Sequence, residues 1–194
     1  MVFLEIIKIC YNKLCVNNME NLKINYNKIK DLISLREDYW ENNDTTNCYA
    51  FSLGLDVKED EIIKNAYQLG VIGSTVKQMT INQLRKLTFE ERLLLDLEVM
   101  GIKQQESTLL DNSFSWIGKD YIDICWIISL LSNGNNFHFI RKSYDGIWYQ
   151  KWGYFAPVIN YDFDKKIITN PLDANFGEYK LIKTYKLSYR EKIK

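Results

Sequence analysis

Four cysteines and a single histidine bound the chemistry open to this 194-residue chain. Cys48 stands in the stretch NDTTNCYAFSLGLD, Asn43 to Asp56, just past a polar run suited to capping a helix and at the mouth of a short apolar segment. A thiol at a helix N-terminus gains from unpaired backbone N–H groups and from the macrodipole, both of which favour the thiolate. His138 opens a strand-like run after a Gly-Asn-Asn turn. Amide hydrolysis by a thiol needs one imidazole to take the thiol proton and return it to the leaving amine. Cys48 as nucleophile and His138 as general base are therefore a candidate dyad. On their own the two residues read more readily as a core thiol and a satisfied sheet histidine.

A third group decides between those readings, because a catalytic imidazole is held in one tautomer by a polar neighbour. Gln150 is the candidate on the following strand. If Tyr144-Asp145-Gly146 forms a three-residue turn with Gly146 in the left-handed position, Ile140 faces Gln150 and His138 faces Trp152. Gln150 then shares a sheet face with His138. A two-residue Asp-Gly turn would instead put Gln150 on the other face and bring Lys151 into its place. Asp162, on a later connection able to fold back over the sheet, is the reserve third group.

A Cys in an Asn-Cys-Tyr-Ala context, a hairpin strand opened by His, and a polar residue 12 positions later resemble the NlpC/P60 branch of the papain-like cysteine peptidases. His138-Phe139-Ile140-Arg141, Asp145-Gly146-Ile147-Trp148 and Lys151-Trp152-Gly153 are also similar to a group of bacterial proteins in which a second His fills the Gln150 place. The resemblance spans about Asp44 to Gly54 and Tyr121 to Lys180. It implies a thiol-dependent peptidase or amidase working through a Cys48 acyl-enzyme, with His138 as base and Gln150 as orienting group. The Cys48 backbone N–H would hold the oxyanion, with Asn47 or Tyr39 as second donor. Peptides, peptidoglycan fragments or a protein are the implied substrates, and no cofactor is called for. Glutamine stabilises an imidazolium less than histidine does, so the alternative is a catalytically weakened fold that acts as a protein-binding or effector module.

The elements that must position these residues change character once along the chain. From Leu22 to about Met100 the apolar periodicity is helical, with helices expected near 75–87 and 89–100. Thr75/Gln78 and Thr88/Glu91 supply the capping-box spacing, and Gly101 the stop. Val76, Met79, Leu84 and Leu87, then Leu93, Leu94, Leu97 and Met100, are the expected core positions. After Gly101 aromatic and β-branched residues dominate. YIDICWIISLLS reads as a buried strand, FHFIRK and IWYQKWG as a hairpin, and KKIIT and YKLIKTYKL as later strands, with Pro157 and Pro171 in connections. The terminal YREKIK reads as a frayed charged tail. The fold class expected is α+β, N-terminal helices packed on an antiparallel sheet, and the resemblance implies a papain-like, NlpC/P60-like arrangement.

Composition narrows the partners. Lys plus Arg and Asp plus Glu are equal at 25 each, so no net field draws nucleic acid or anionic lipid. Cys10, Cys15, Cys48 and Cys125 form no CxxC pair, which argues against a zinc site or a disulfide framework and for reduced thiols. No stretch approaches the ~18 apolar residues of a membrane span. Phe3, Ile6, Ile7, Cys10 and Leu14 recur at helical spacing, giving an N-terminal helical extension over 1–30 that docks on the hydrolase domain, 31–194, or on a second copy as a homo-oligomer. No cleavage site follows this segment, so the expectation is a cytoplasmic protein or one delivered without a cleavable signal peptide. NYDFDKKIITN lacks the Gly and terminal Glu of a calcium loop and reads as a solvated turn.

Overall fold

The structure, a computed structural model, describes residues 46–55, 68–109, 111, 114–117 and 120–192. The expected N-terminal extension, the domain boundary at residue 31, Cys10, Cys15 and Tyr39 lie outside the described residues. The chain is α+β. Helices α1 (Cys48–Leu53), α2 (Val71–Val76), α3 (Ile81–Lys86) and α4 (Phe89–Met100) precede strands β1 (Lys103–Glu106), β2 (Phe114–Ile117), β3 (Tyr121–Ser132), β4 (Phe137–Lys142), β5 (Trp148–Lys151), β6 (Val158–Ile159) and β7 (Lys180–Lys192). The strands pair antiparallel in the order β1-β7-β3-β4-β5-β6, and β2 pairs with β3.

Local chemistry accounts for the helices. Thr88 accepts from the Glu91 N–H while Glu91 reaches back to the Thr88 N–H, the expected capping box, and Gly101 in the left-handed region (φ 69°) closes α4. The expected helix over 75–87 is instead two. Thr75 lies in the last turn of α2, Gln78 takes a positive φ of 55°, and the capping box that starts α3 is Thr80 with Gln83. Val76 consequently faces water, 44% exposed, rather than the core.

β3 is the central strand, paired along its length with β7 and over its second half with β4. Its alternating side chains build two cores. Ile124, Trp126, Ile128 and Leu130 face the helices and pack with Tyr49, Leu53, Leu93, Leu97, Phe139 and Leu187. Ile127 and Leu131 face the other way and pack with Ile140, Trp148, Ile168 and Phe176. The second core is roofed by the connection between β6 and β7 rather than by helices. KKIIT, expected as a strand, belongs to this roof, with only the isolated bridge Tyr161–Ile167. Pairing with Lys166 and Asn175 backbone groups within the loop takes the place of a ladder. The expected frayed tail is ordered as far as Lys192: β7 continues opposite β3, and Arg190 grips the Asp123 carboxylate with two hydrogen bonds. No helix among the described residues is long and apolar enough to cross a membrane.

Candidate active site

The β4–β5 hairpin sets the site. Gly146 takes φ 83°, Ser143 and Ile147 close the turn through N–H···O at 2.9 Å, and Ile140 pairs with Gln150. This is the three-residue-turn register, so His138, Ile140 and Gln150 share one face, the face of the second core. The alternative in which Lys151 neighbours the imidazole does not occur. Lys151 is buried on the opposite face, where its Nζ donates to the carbonyls of Tyr154 and Ala156.

His138 Nε2 lies 3.1 Å from Gln150 Oε1. The proton on this ring can be assigned by elimination. Gln150 also meets the Tyr161 carbonyl at 2.7 Å, and a carbonyl only accepts, so the amide N–H₂ must point there and the amide oxygen at the ring. His138 Nε2 therefore carries the hydrogen, and Nδ1 is left as the basic nitrogen. Both side chains are buried, and the imidazole stacks on the Trp152 indole at 3.8 Å with the planes 2° apart. Burial pushes the imidazole pKa down to about 4, against a smaller upward pull from Gln150. The ring is neutral at pH 7.

Cys48 reaches this pair from the other side of the sheet. Asn47 caps α1, its Oδ1 accepting from the Ala50 N–H at 2.8 Å, and left-handed Gly54 ends the helix. Trp126 Nε1 donates to Ser52 O at 3.0 Å, and the Tyr49 ring meets Phe139 at 5.3 Å, which seats α1 on the helical face. The Ser143 N–H points toward β5, so by the alternation of an antiparallel ladder the Phe139 N–H does too. Phe139 lies just past the last β4–β5 pair. There, at the open end of the ladder, its N–H faces the Cys48 thiol together with those of Tyr49 and Cys48 itself. The thiol thus lies against the peptide that joins His138 to Phe139. Among the described residues no direct hydrogen bond joins the thiol to the His138 ring.

The expectation that a helix start would favour the thiolate is corrected by burial. Cys48 retains some accessible surface, but loss of water around the sulfur raises its pKa to about 11, outweighing the three N–H groups. A six-residue helix carries little macrodipole to offset that cost. The resting pair is a neutral thiol and a neutral imidazole.

Tyr154 stands near the thiol and is held by two side-chain amides. Tyr154 Oη accepts from Gln68 Nε2 at 2.9 Å and from Asn47 Nδ2 at 3.4 Å. Burial raises its pKa, those two amides lower it, and ionisation of Cys48 would raise it further. Asn47, the expected second oxyanion donor, precedes the thiol in the chain and its Nδ2 meets Tyr154, while nothing in the sequence surroundings of Gln68 marks it as a partner of that hydroxyl. Asp162, the reserve third group, turns its side chain to backbone donors of its own loop rather than to the imidazole. Its carboxylate accepts from the backbone N–H groups of Asp164, Lys166 and Asn175, which also hold its pKa down, Asn175 first. Among the described residues no cluster of three metal-ligating side chains forms. Compared with protein families, curated proteins and solved structures, the chain matches none.

Proposed function

We propose that the chain is a thiol-dependent hydrolase of amide bonds, a peptidase or amidase of papain-like, NlpC/P60-like type, with Cys48 as nucleophile, His138 as general base and Gln150 as orienting group. The observation that carries this reading is the His138–Gln150 hydrogen bond at 3.1 Å, which leaves Nδ1 basic on the strand whose next N–H, that of Phe139, acts on the Cys48 thiol.

With both groups neutral at rest, proton transfer accompanies attack rather than preceding it. Nδ1 takes the thiol proton as Sγ bonds to the carbonyl carbon. The resulting oxyanion is stabilised by the Cys48 N–H and by the amides of Asn47 or Gln68 when they turn from Tyr154. Collapse expels the amine, which leaves with the proton held by His138. Water then gives a proton to Nδ1 and adds to the thioester; the acid departs and Cys48 recovers its proton. Gln150 polarises the imidazolium without neutralising it, so turnover should be slower than with a more basic partner.

A peptide, a peptidoglycan fragment or a protein is the proposed substrate class. The experiment is amine release from a set of peptidyl amides and peptidoglycan stem peptides, comparing wild type with Cys48→Ala and His138→Ala. A second reading, a binding module without turnover, draws on the thiol pushed up to about 11 and the imidazole pushed down to about 4. Binding of those peptides with no amine released would select it.

A further inference from the structure

Asp96 is fully buried on the core face of α4, between Leu93, Leu97 and Met100, where a carboxylate is costly unless every lone pair it presents is met. Three donors meet it at 2.6 Å each: the Tyr49 hydroxyl and the Gly70 N–H at Oδ2, and the Gly73 N–H at Oδ1. They come from two separate segments, and both segments lead to the thiol.

Tyr49 follows Cys48 on α1, is itself fully buried, and its backbone N–H is one of those facing Sγ. Gly70 lies two residues beyond Gln68, the residue that donates to Tyr154 Oη. The glycines are what allow this approach. Gly70 takes φ 87°, and a Cβ there would come within 2.9 Å of Leu84 and Arg92 side chains. At Gly73 a Cβ would lie 2.6 Å from the Leu95 carbonyl oxygen. The backbone of α2 can therefore close onto α4 and present its N–H groups to one carboxylate.

We propose that Asp96 is a positioning residue that holds the nucleophile helix, through Tyr49, and the Gln68 segment, through Gly70, in one fixed relation around the Cys48 thiol. The inference rests on the hydrolase reading for its consequence in turnover, and on geometry alone for its effect on the thiol. Burial raises the Asp96 pKa to about 7 against the pull of its three donors, Tyr49 first. The group is thus held in place by those donors at an appreciable desolvation cost.

The test is the rate at which iodoacetamide alkylates Cys48 in the full chain between pH 7 and 10, read by mass spectrometry of the Cys48 peptide, alongside kcat and KM. Tyr49→Phe removes one O–H from the clamp and little else, and Asp96→Asn turns an acceptor into a donor facing N–H groups. Loosening α1 admits water to the sulfur and relieves the burial that dominates its pKa. The alkylation rate at pH 8 should rise about tenfold for each pH unit by which the thiol midpoint falls. kcat should drop about tenfold with KM little changed, as for loss of alignment. A clamp that serves stability alone would lower Tm while leaving both profiles on those of wild type, and that result in folded Tyr49→Phe would overturn the proposal even if Asp96→Asn does not fold. A shifted alkylation profile in a protein that releases no amine would support the clamp and reject the hydrolase reading. Amine release with superimposed profiles would do the reverse.

Discussion

Across the open end of the β4–β5 ladder, His138 Nε2 donates to Gln150 Oε1 at 3.1 Å, and Gln150 in turn is fixed by the Tyr161 carbonyl at 2.7 Å. The relay fixes the tautomer without placing a negative charge next to the ring.

Gln150→Ala should cost rate more than fold. Loss of the orienting acceptor lets the ring swing and change tautomer, and turnover should fall roughly 10- to 100-fold, less than for Cys48→Ala, because proton transfer itself is worth about 10²–10⁴. Gln150→His should keep or raise activity. Amine-release kinetics on the three variants check the order; a Gln150→Ala variant as inactive as Cys48→Ala would contradict it.

Acid should reveal His138. Its folded pKa, about 4, is below the ordinary 6.5, so the unfolded chain takes the proton first as pH falls, and the stability present above 6.5 is lost between 6.5 and 4. Asp96 acts oppositely in that window. Raised from 3.8 to about 7, it takes its proton first in the folded state and gains stability as pH falls. His138→Gln removes the first effect, so its unfolding free energy from urea titration should improve relative to wild type as pH drops from 6.5 to 5, by about 1.4 kcal/mol per pH unit at most. Parallel pH profiles for the two proteins would refute this.

Trp152→Ala should return the imidazole toward ordinary behaviour. The indole lies flat on the ring at 3.8 Å and keeps water away, and burial is the larger cause of the low pKa. Because the chain has one histidine, its Cε1–H resonance titrates without overlap. The midpoint should move up from about 4 toward 6.5; a midpoint unchanged below 5 would assign the shift to other neighbours.

Gly73→Ala should destabilise, reversing the usual benefit of alanine in a helix. The new Cβ would lie 2.5 Å from Leu95 Cγ and 2.6 Å from its carbonyl oxygen. Overpacking of this kind costs about 1–3 kcal/mol. A lowered urea midpoint is the expected reading, and a raised one would mean that α2 and α4 can separate.

The hairpin was legible in the sequence because its information is local. Tyr144-Asp145-Gly146 fixes the turn, the turn fixes the register, and a period of two then puts Gln150 on the His138 face. Helix α4 was legible for the same reason, through Thr88, Glu91 and Gly101. What escaped depends on distant partners. β1, Lys-Gln-Gln-Glu, is exposed at every position on the sheet edge and carries no alternation, so only β7 makes it a strand. Asp96 breaks an apolar helix face, and its three donors come from residues 23 to 47 positions away. Helix position is local and burial is not, so the sequence points to a low thiol pKa where the fold raises it.

The Cys48 thiol is proposed to draw its reactivity from His138, although among the described residues no direct hydrogen bond joins them at rest. A dipeptidyl vinyl sulfone, applied at pH 7 and read by mass spectrometry of the Cys48 peptide, tests this in one step. Addition to Cys48 is expected in wild type, with addition at least about a hundredfold slower in folded His138→Ala, in line with loss of a general base. Equal rates in the two proteins, or no addition to wild-type Cys48, would contradict it.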